Sequence, residues 1–120
     1  MTSPGHRLER ITEEIRNEVS LMLAGELRDP RLAVEIDITE VRVSPDLRSV
    51  NVFVLVPGEP KGRDRALRGM SAAAGYIRHE LVERLKLRRA PEIHFRLDDS
   101  EEYSKHIEDL LRKSKSSGEP

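Results

Sequence analysis

A long amphipathic pattern in this chain is interrupted at its centre, and that interruption limits the possible folds more than any other feature. Apolar residues recur at spacings of three and four from Leu67 to Leu85, which predicts a helix with one buried stripe. The middle of the pattern, Ser71-Ala72-Ala73-Ala74-Gly75, has almost no side chains on its outer face. Glycine inside a helix makes the helix less stable than alanine does, by about 1 kcal/mol. The presence of Gly75 within the pattern therefore calls for a structural or functional explanation. One interpretation is close packing of another element or a gap between two shorter helices. The other is a kink that lets a nucleic-acid backbone approach, and the two are compatible.

The remaining hydrophobic patterns predict an α+β fold. A helical stripe comes first, then two strands that we expect to form a hairpin, the long helical pattern, a third strand and a short terminal helix. A change of phase near Glu40 predicts a bulge or a strong twist in the first strand. The first helix is predicted over residues 6–24 and the strands over 34–43, 50–56 and 93–97, while the terminal helix begins after a cap at residues 98–100 and has its apolar positions between Tyr103 and Leu111. This order predicts a three-stranded sheet covered by helices on one side.

Length and composition predict a single domain with short ends. We expect a flexible leader over residues 1–5, one domain over residues 6–112 and a disordered polar tail over residues 113–120. The chain has no cysteine, which excludes disulfides and thiolate metal sites. It has no apolar run of the roughly 18 residues that a membrane span needs, and no signal-peptide pattern. We therefore expect a cytoplasmic protein without a membrane partner.

The charges are unevenly distributed, although the formal net charge is only -1. Residues 1–60 carry a balance of -4, residues 61–96 a balance of +6, and residues 97–120 a balance of -3. A cationic middle third indicates a surface for a polyanion such as RNA. The alternative is a solvated helix face whose arginines pair with nearby carboxylates, but the excess of six cannot be neutralised within its own segment.

Ten cations are the predicted phosphate contacts. The main candidates are Arg63, Arg65, Arg68, Arg78, Arg84, Lys86, Arg88 and Arg89, and the weaker ones are Arg7 and Arg10. Aromatic residues make up only 3% of the chain, and both phenylalanines, Phe53 and Phe95, fit the predicted core. Recognition through backbone and shape is therefore expected rather than base stacking.

No pattern in the sequence predicts catalysis or a cofactor. The four histidines are scattered without the spacing of metal ligands, and the acidic residues from Asp98 to Glu102 match no calcium or zinc motif and fit a helix start better. No phosphate-binding loop of the nucleotide-hydrolase type is present. The sequence thus predicts a protein that is not an enzyme, with no metal and no small-molecule substrate.

These features together resemble the bacterial ribosome-binding factor A family over residues 6–112. No single motif is diagnostic, but their order and spacing are specific. The matching segments are Arg10-Ile11, Glu14-Ile15, Asp29-Pro30-Arg31-Leu32, Val41 to Leu47, Val52-Phe53-Val54, Ala73 to Arg78, Leu87-Arg88, Pro91 to Phe95, Asp98 and Ser100. One departure is Asn51, which stands where the family commonly has a basic residue, so no RNA contact is expected there.

The resemblance implies a type II KH-like fold in which a helix–kink–helix replaces the usual Gly-x-x-Gly loop. The kink motif would fall on Ala73, Ala74 and Gly75. The resemblance also implies a monomeric, non-catalytic factor that binds the immature 30S ribosomal subunit and its 16S rRNA, assists late rRNA processing and folding, and matters especially in the cold. Two alternatives remain: a protein-interaction or dimerisation module that uses the alanine-rich helix face, and a generic RNA-binding KH domain.

Overall fold

The computed structural model describes residues 4–98 and residue 111, and contains three α-helices and three strands. The helices are α1 (Pro4–Leu21), α2 (Pro60–Ala72) and α3 (Ala74–Leu85), and the strands are β1 (Asp37–Val43), β2 (Ser49–Leu55) and β3 (Glu92–Leu97). A π-helical segment (Met22–Glu26) continues α1, and a short 3-10 turn (Pro30–Leu32) precedes β1. The order helix, strand, strand, helix, helix, strand confirms the predicted α+β class.

The sheet has the order β1-β2-β3, so β2 is central as its two-sided apolar pattern indicates. β1 and β2 pair antiparallel as the predicted hairpin, and β3 runs parallel to β2. The register of the hairpin shifts between Ile38 and Glu40, which confirms the bulge inferred from the change of phase. The parallel step is possible because α2 and α3 form the crossover that connects β2 to β3.

β1 is shorter than predicted, since residues 34–36 lie outside it. The alternation of Val34, Ile36 and Ile38 suggests a strand, but Asp37 already pairs with Leu55, the last residue of β2. No strand is therefore available to pair with the earlier residues, and Val34 is exposed. A local apolar pattern cannot reveal where the neighbouring strand ends.

The helices cover one face of the sheet and enclose the core. Val50, Val52 and Val54 of β2 are fully buried against side chains such as Ile15 of α1 and Ile77 of α3. No element among the described residues covers the other sheet face, and Phe53 lies on it, half-buried, with the Arg42 guanidinium 5.1 Å from its ring centre. The prediction that Phe53 belongs to the core is wrong, because the described elements cover only one face of its strand. The prediction for Phe95 is confirmed.

The two ends of the chain are only partly described. α1 begins at Pro4, two residues before the predicted start, which fits the preference for proline in the first turn of a helix. The rest of the predicted leader, the terminal helix apart from Leu111, and the predicted tail lie outside the described residues. Within the described part, no helix is long and apolar enough to cross a membrane.

Candidate nucleic-acid interface

The interrupted helical pattern forms two helices that meet at Ala73. This residue keeps a right-handed conformation (φ -85°, ψ -4°), but its amide bonds to the carbonyls of both Gly69 and Met70 at 3.1 Å. The next regular helical bond runs from the Ile77 amide to the Ala73 carbonyl at 3.0 Å. The amides in the first turn of α3 therefore have no acceptor within their own helix, and they carry the partial positive charge of a helix start.

The glycine at the kink faces open space. A Cβ built on Gly75 meets no atom within 4 Å apart from its chain neighbours and its own helix backbone, and the residue is exposed. Close packing is found six residues earlier instead, where a Cβ on Gly69 lies 3.0 Å from Arg31 Cβ and 3.1 Å from Leu32 Cδ2. The protein interior therefore requires a small residue at Gly69, and does not require one at Gly75.

The turn that packs on Gly69 is fixed by its own ion pair. Arg31 and Asp29 form a bidentate contact with a shortest N–O distance of 2.6 Å, and the Asp29 carboxylate also accepts from the Arg31 amide. These hydrogen bonds hold the pKa of Asp29 below its usual value, so the pair is charged at neutral pH. The segment that supports α2 is thereby held in place.

The outer face of the two helices is exposed as the sequence predicts. Arg68, Ala72, Gly75 and His79 are exposed, whereas Met70, Ile77 and Leu81 of the apolar stripe are fully buried. Tyr76 stands beside Gly75 with 47% of its surface accessible. The backbone at Gly75 is thus accessible from solvent, and a partner could approach it closely.

Three predicted contacts lie on α2, on the N-terminal side of the kink. Arg65 is exposed and forms no ion pair within residues 4–98 and 111, while half-buried Arg63 has a buried Nε that finds no hydrogen-bond acceptor among those residues. Arg68 contacts Asp64 at 3.2 Å, but both side chains are about two-thirds exposed. An exposed pair of this kind is weak, so Arg68 can exchange Asp64 for a phosphate. Arg63 stands at the start of α2 beside Leu97 of β3, farther from the kink than the other two. We define the kink surface as residues 71–76 together with Arg65 and Arg68.

Two of the predicted phosphate contacts, Arg78 and Arg84, are bonded to oxygen atoms of the protein itself. Arg78 donates from Nε to the Pro91 carbonyl at 2.8 Å and from its second terminal nitrogen to the Ala90 carbonyl at 3.3 Å, so it anchors the loop before β3. Arg84 has ion pairs with three carboxylates, which belong to Glu18, Glu26 and Glu80, and these raise its pKa above the usual value. Both arginines stabilise the arrangement of α3, and we leave them out of the proposed interface.

The other predicted contacts gather at the far end of α3. An open groove of about 590 Å³ lies between the start of α1, the turn between β1 and β2, and the residues after α3. Its cations are Arg7, Arg48, Lys86, Arg88 and Arg89. We call these five side chains and the space between them the cationic groove. Arg10 is exposed on α1 but does not line the groove.

A comparison with protein-family models decides the family of the chain. The model described as ribosome-binding factor A matches residues 7–111, almost the whole domain. The chain belongs to the ribosome-binding factor A family. A curated member from Acetivibrio thermocellus is 46% identical over 108 residues, which cover 90% of this chain and 88% of that protein.

Solved structures place the fold in the same family. A Thermotoga maritima protein described as a candidate ribosome binding factor A, solved by NMR, superposes with a TM-score of 0.69 at 29% identity, covering 84% of this chain and 96% of that one. A Thermus thermophilus ribosome binding factor A, fitted as a homology model into a cryo-EM map of a 30S complex, gives a TM-score of 0.59 at 26% identity, covering 72% and 90%. The KH-like label that the resemblance implied is consistent with these neighbours.

Sequence reasoning missed one cation of the groove. Arg48 lies in the acidic first half of the chain, and only the hairpin brings it beside the residues after α3. Its position in the turn between two predicted strands was the available signal. Asn51, which departs from the family pattern, accepts a hydrogen bond from Arg96 at 3.0 Å on the sheet face opposite the helices, away from the kink surface.

Proposed function

We propose that this chain binds the immature 30S ribosomal subunit by contacting 16S rRNA, and assists late rRNA processing and folding without catalysing a reaction. Family membership supports the ribosomal partner, and a Thermus relative is described in a 30S complex. The protein would act in the cytoplasm as a monomer, since that is where subunits are assembled and the proposed interface needs no second copy.

The observation that carries the RNA contact is the open space at Gly75. A glycine that no internal contact requires, beside the unbonded first-turn amides of α3, leaves room for a ligand backbone to approach the helix start. Arg65 and Arg68 add positive charge on the helix that leads into the kink. Helix-start amides and arginines are the groups that fix nucleic-acid phosphates, so a phosphodiester backbone is the ligand that suits this surface best.

Sedimentation with ribosomal subunits tests the proposal. The full chain should co-sediment with immature small subunits, and its affinity should fall steeply as salt rises, because each phosphate contact releases counterions. Mature subunits serve as the comparison and should bind less protein. A stable dimer that is insensitive to salt and has no affinity for subunits or for 16S rRNA would instead support a dimerisation module.

A further inference from the structure

The cationic groove lies at the opposite end of α3 from the kink. Gly75 and Lys86 are eleven residues apart, and a helix rises 1.5 Å per residue, so about 16 Å separates them. Exposed Glu83 stands between them on α3, and it forms no ion pair in the described part of the chain. A carboxylate in that position repels a phosphate chain. The two cationic surfaces are therefore separate.

The cations of the groove are free to bind a ligand. Among residues 4–98 and 111, none of their five side chains forms an ion pair or a side-chain hydrogen bond, whereas Arg31, Arg78 and Arg84 are all held by protein oxygens. Two carboxylates also line the groove, those of Glu14 and Asp46, which leaves a net charge of +3. The positive charge of the groove attracts an anion from solution.

One of the two carboxylates is already engaged. Asp46 accepts from Ser44 Oγ at 2.7 Å and from the Arg48 amide at 3.1 Å, and these bonds fix the hairpin turn. Its pKa is held below the usual value by the Ser44 hydroxyl, so it stays ionised within the turn. Asp46 therefore serves to position Arg48 at the rim of the groove.

The backbone around the groove is unusual. Leu47 (φ 60°) and Lys86 (φ 55°) are the two residues other than glycine with positive φ in the described part of the chain, and both line the groove. Left-handed backbone is uncommon for such residues. At Lys86 it ends α3 and turns the chain, so that half-buried Leu87 joins the edge of the core while exposed Arg88 and Arg89 follow at the rim.

We propose that the cationic groove is a second phosphate site, which holds a stretch of rRNA backbone distinct from the one at the kink surface. This inference rests on the proposed function. Four of the five cations are arginines, whose planar guanidinium groups bind phosphate oxygens in pairs. Two sites at the ends of one rigid helix would let the protein hold two rRNA segments in a fixed relation, which suits a factor that assists rRNA folding.

Lys86 and Arg88 offer a test that avoids misfolding. Lys86→Gly removes a charge at a position whose left-handed backbone favours glycine. The melting temperature of this variant should therefore equal or exceed that of the unmodified chain. Arg88→Gln removes an exposed charge with no partner among residues 4–98 and 111, and Arg88→Lys restores it. The matched control is Arg28→Gln, an exposed arginine beyond the other end of α1 that lines neither surface.

The full chain and its variants are titrated with immature small subunits and with protein-free 16S rRNA at several salt concentrations. The K86G/R88Q pair should weaken binding to both probes and reduce the salt slope by about 1.4, or about 0.7 for each contact on single-stranded RNA. R28Q should leave both quantities unchanged. Gly75→Ala, which adds a methyl group at the kink, perturbs the other site. Because the two sites are separate, the factors by which K86G/R88Q and G75A reduce the affinity should multiply in the combined variant.

The outcomes separate this proposal from the proposed function. If G75A weakens binding and K86G/R88Q changes neither affinity nor slope, the second site is wrong and the kink surface stands. If the groove pair loses affinity for subunits but not for protein-free 16S rRNA, a ribosomal protein occupies the groove and the inference is overturned. If the unmodified chain binds neither probe, the proposed function itself fails.

Discussion

Two glycines six residues apart, one in α2 and one in α3, occupy opposite environments. Gly69 is buried, and a methyl group there would press on Arg31 and Leu32, whereas Gly75 is exposed and a methyl group there would meet nothing. The first glycine lets α2 approach the 3-10 turn, and the second leaves the start of α3 bare. Only the second is available to a partner.

Substituting each glycine by alanine separates stability from binding. Gly75→Ala should keep or raise the free energy of unfolding, by up to about 1 kcal/mol, since alanine is the better helix former. It should nevertheless lower affinity for immature small subunits about tenfold or more, because the added methyl group keeps the RNA backbone away from the amides. Thermal melting and subunit binding measure the two effects.

Gly69→Ala should give the reverse result. Contacts of 3.0 and 3.1 Å require the 3-10 turn to move, which destabilises the fold by about 1–3 kcal/mol, and the folded fraction should still bind subunits. Gly62→Ala is the control, because Gly62 lies in α2 with open space around it and outside the kink surface. Unchanged subunit binding by Gly75→Ala would contradict the role assigned to the kink.

At the level of elements, Arg84 connects three parts of the chain. Its guanidinium reaches Glu18 of α1 at 3.0 Å, Glu26 of the π-helical segment at 2.7 Å and Glu80 of its own helix at 3.0 Å. With 26% of its side chain exposed, it is better shielded from solvent than the surface pairs. It therefore holds α3 against α1 and against the segment that follows α1.

Arg84 and Arg65 should consequently behave in opposite ways when each is replaced by glutamine. Arg84→Gln should lower the melting temperature, and the loss should shrink at high salt, while folded protein binds subunits as before. Arg65→Gln should melt like the unmodified chain but reduce the salt slope of subunit binding by about 0.7. If Arg84→Gln melts normally and loses affinity, the arginine is a phosphate contact and the structural role is wrong.

The elements themselves could be predicted far better than the partners of single side chains. Periodicity located the hairpin, the bulge near Glu40 and the division of the long helix, because each leaves a local change of phase or composition. It could not reveal that Arg84 pairs with Glu18, 66 residues away, or that Arg48 would join the cations after α3. Those contacts depend on how distant elements pack, and a segment's own pattern does not carry that information.

For the whole molecule, the near-zero net charge conceals a division between faces. A groove between α1 and β1 is lined by Glu9, Glu13, Glu40 and Arg16, and we call it the acidic groove. Glu40 pairs with Arg42 at 2.9 Å and the Arg16 guanidinium is bonded to the Ile38 carbonyl, whereas Glu9 and Glu13 have no ion pair among the described residues. Among the described residues, the arginines of the kink surface and the cations of the cationic groove lie outside this acidic groove. Repulsion between the acidic groove and the RNA phosphates would orient the protein on RNA and limit non-specific binding.

The absence of cysteine allows the orientation on the subunit to be measured directly. A single cysteine is introduced at Ala72, which is exposed at the kink, or at Asn17, which is exposed in the acidic groove. Each cysteine is then labelled with an iron chelate that generates hydroxyl radicals. With bound immature subunits, the chelate at position 72 should cleave 16S rRNA at discrete sites, and the one at position 17 should leave it intact. Cleavage from position 17 but not from position 72, by variants that both bind, would contradict the claim that the kink surface faces the rRNA.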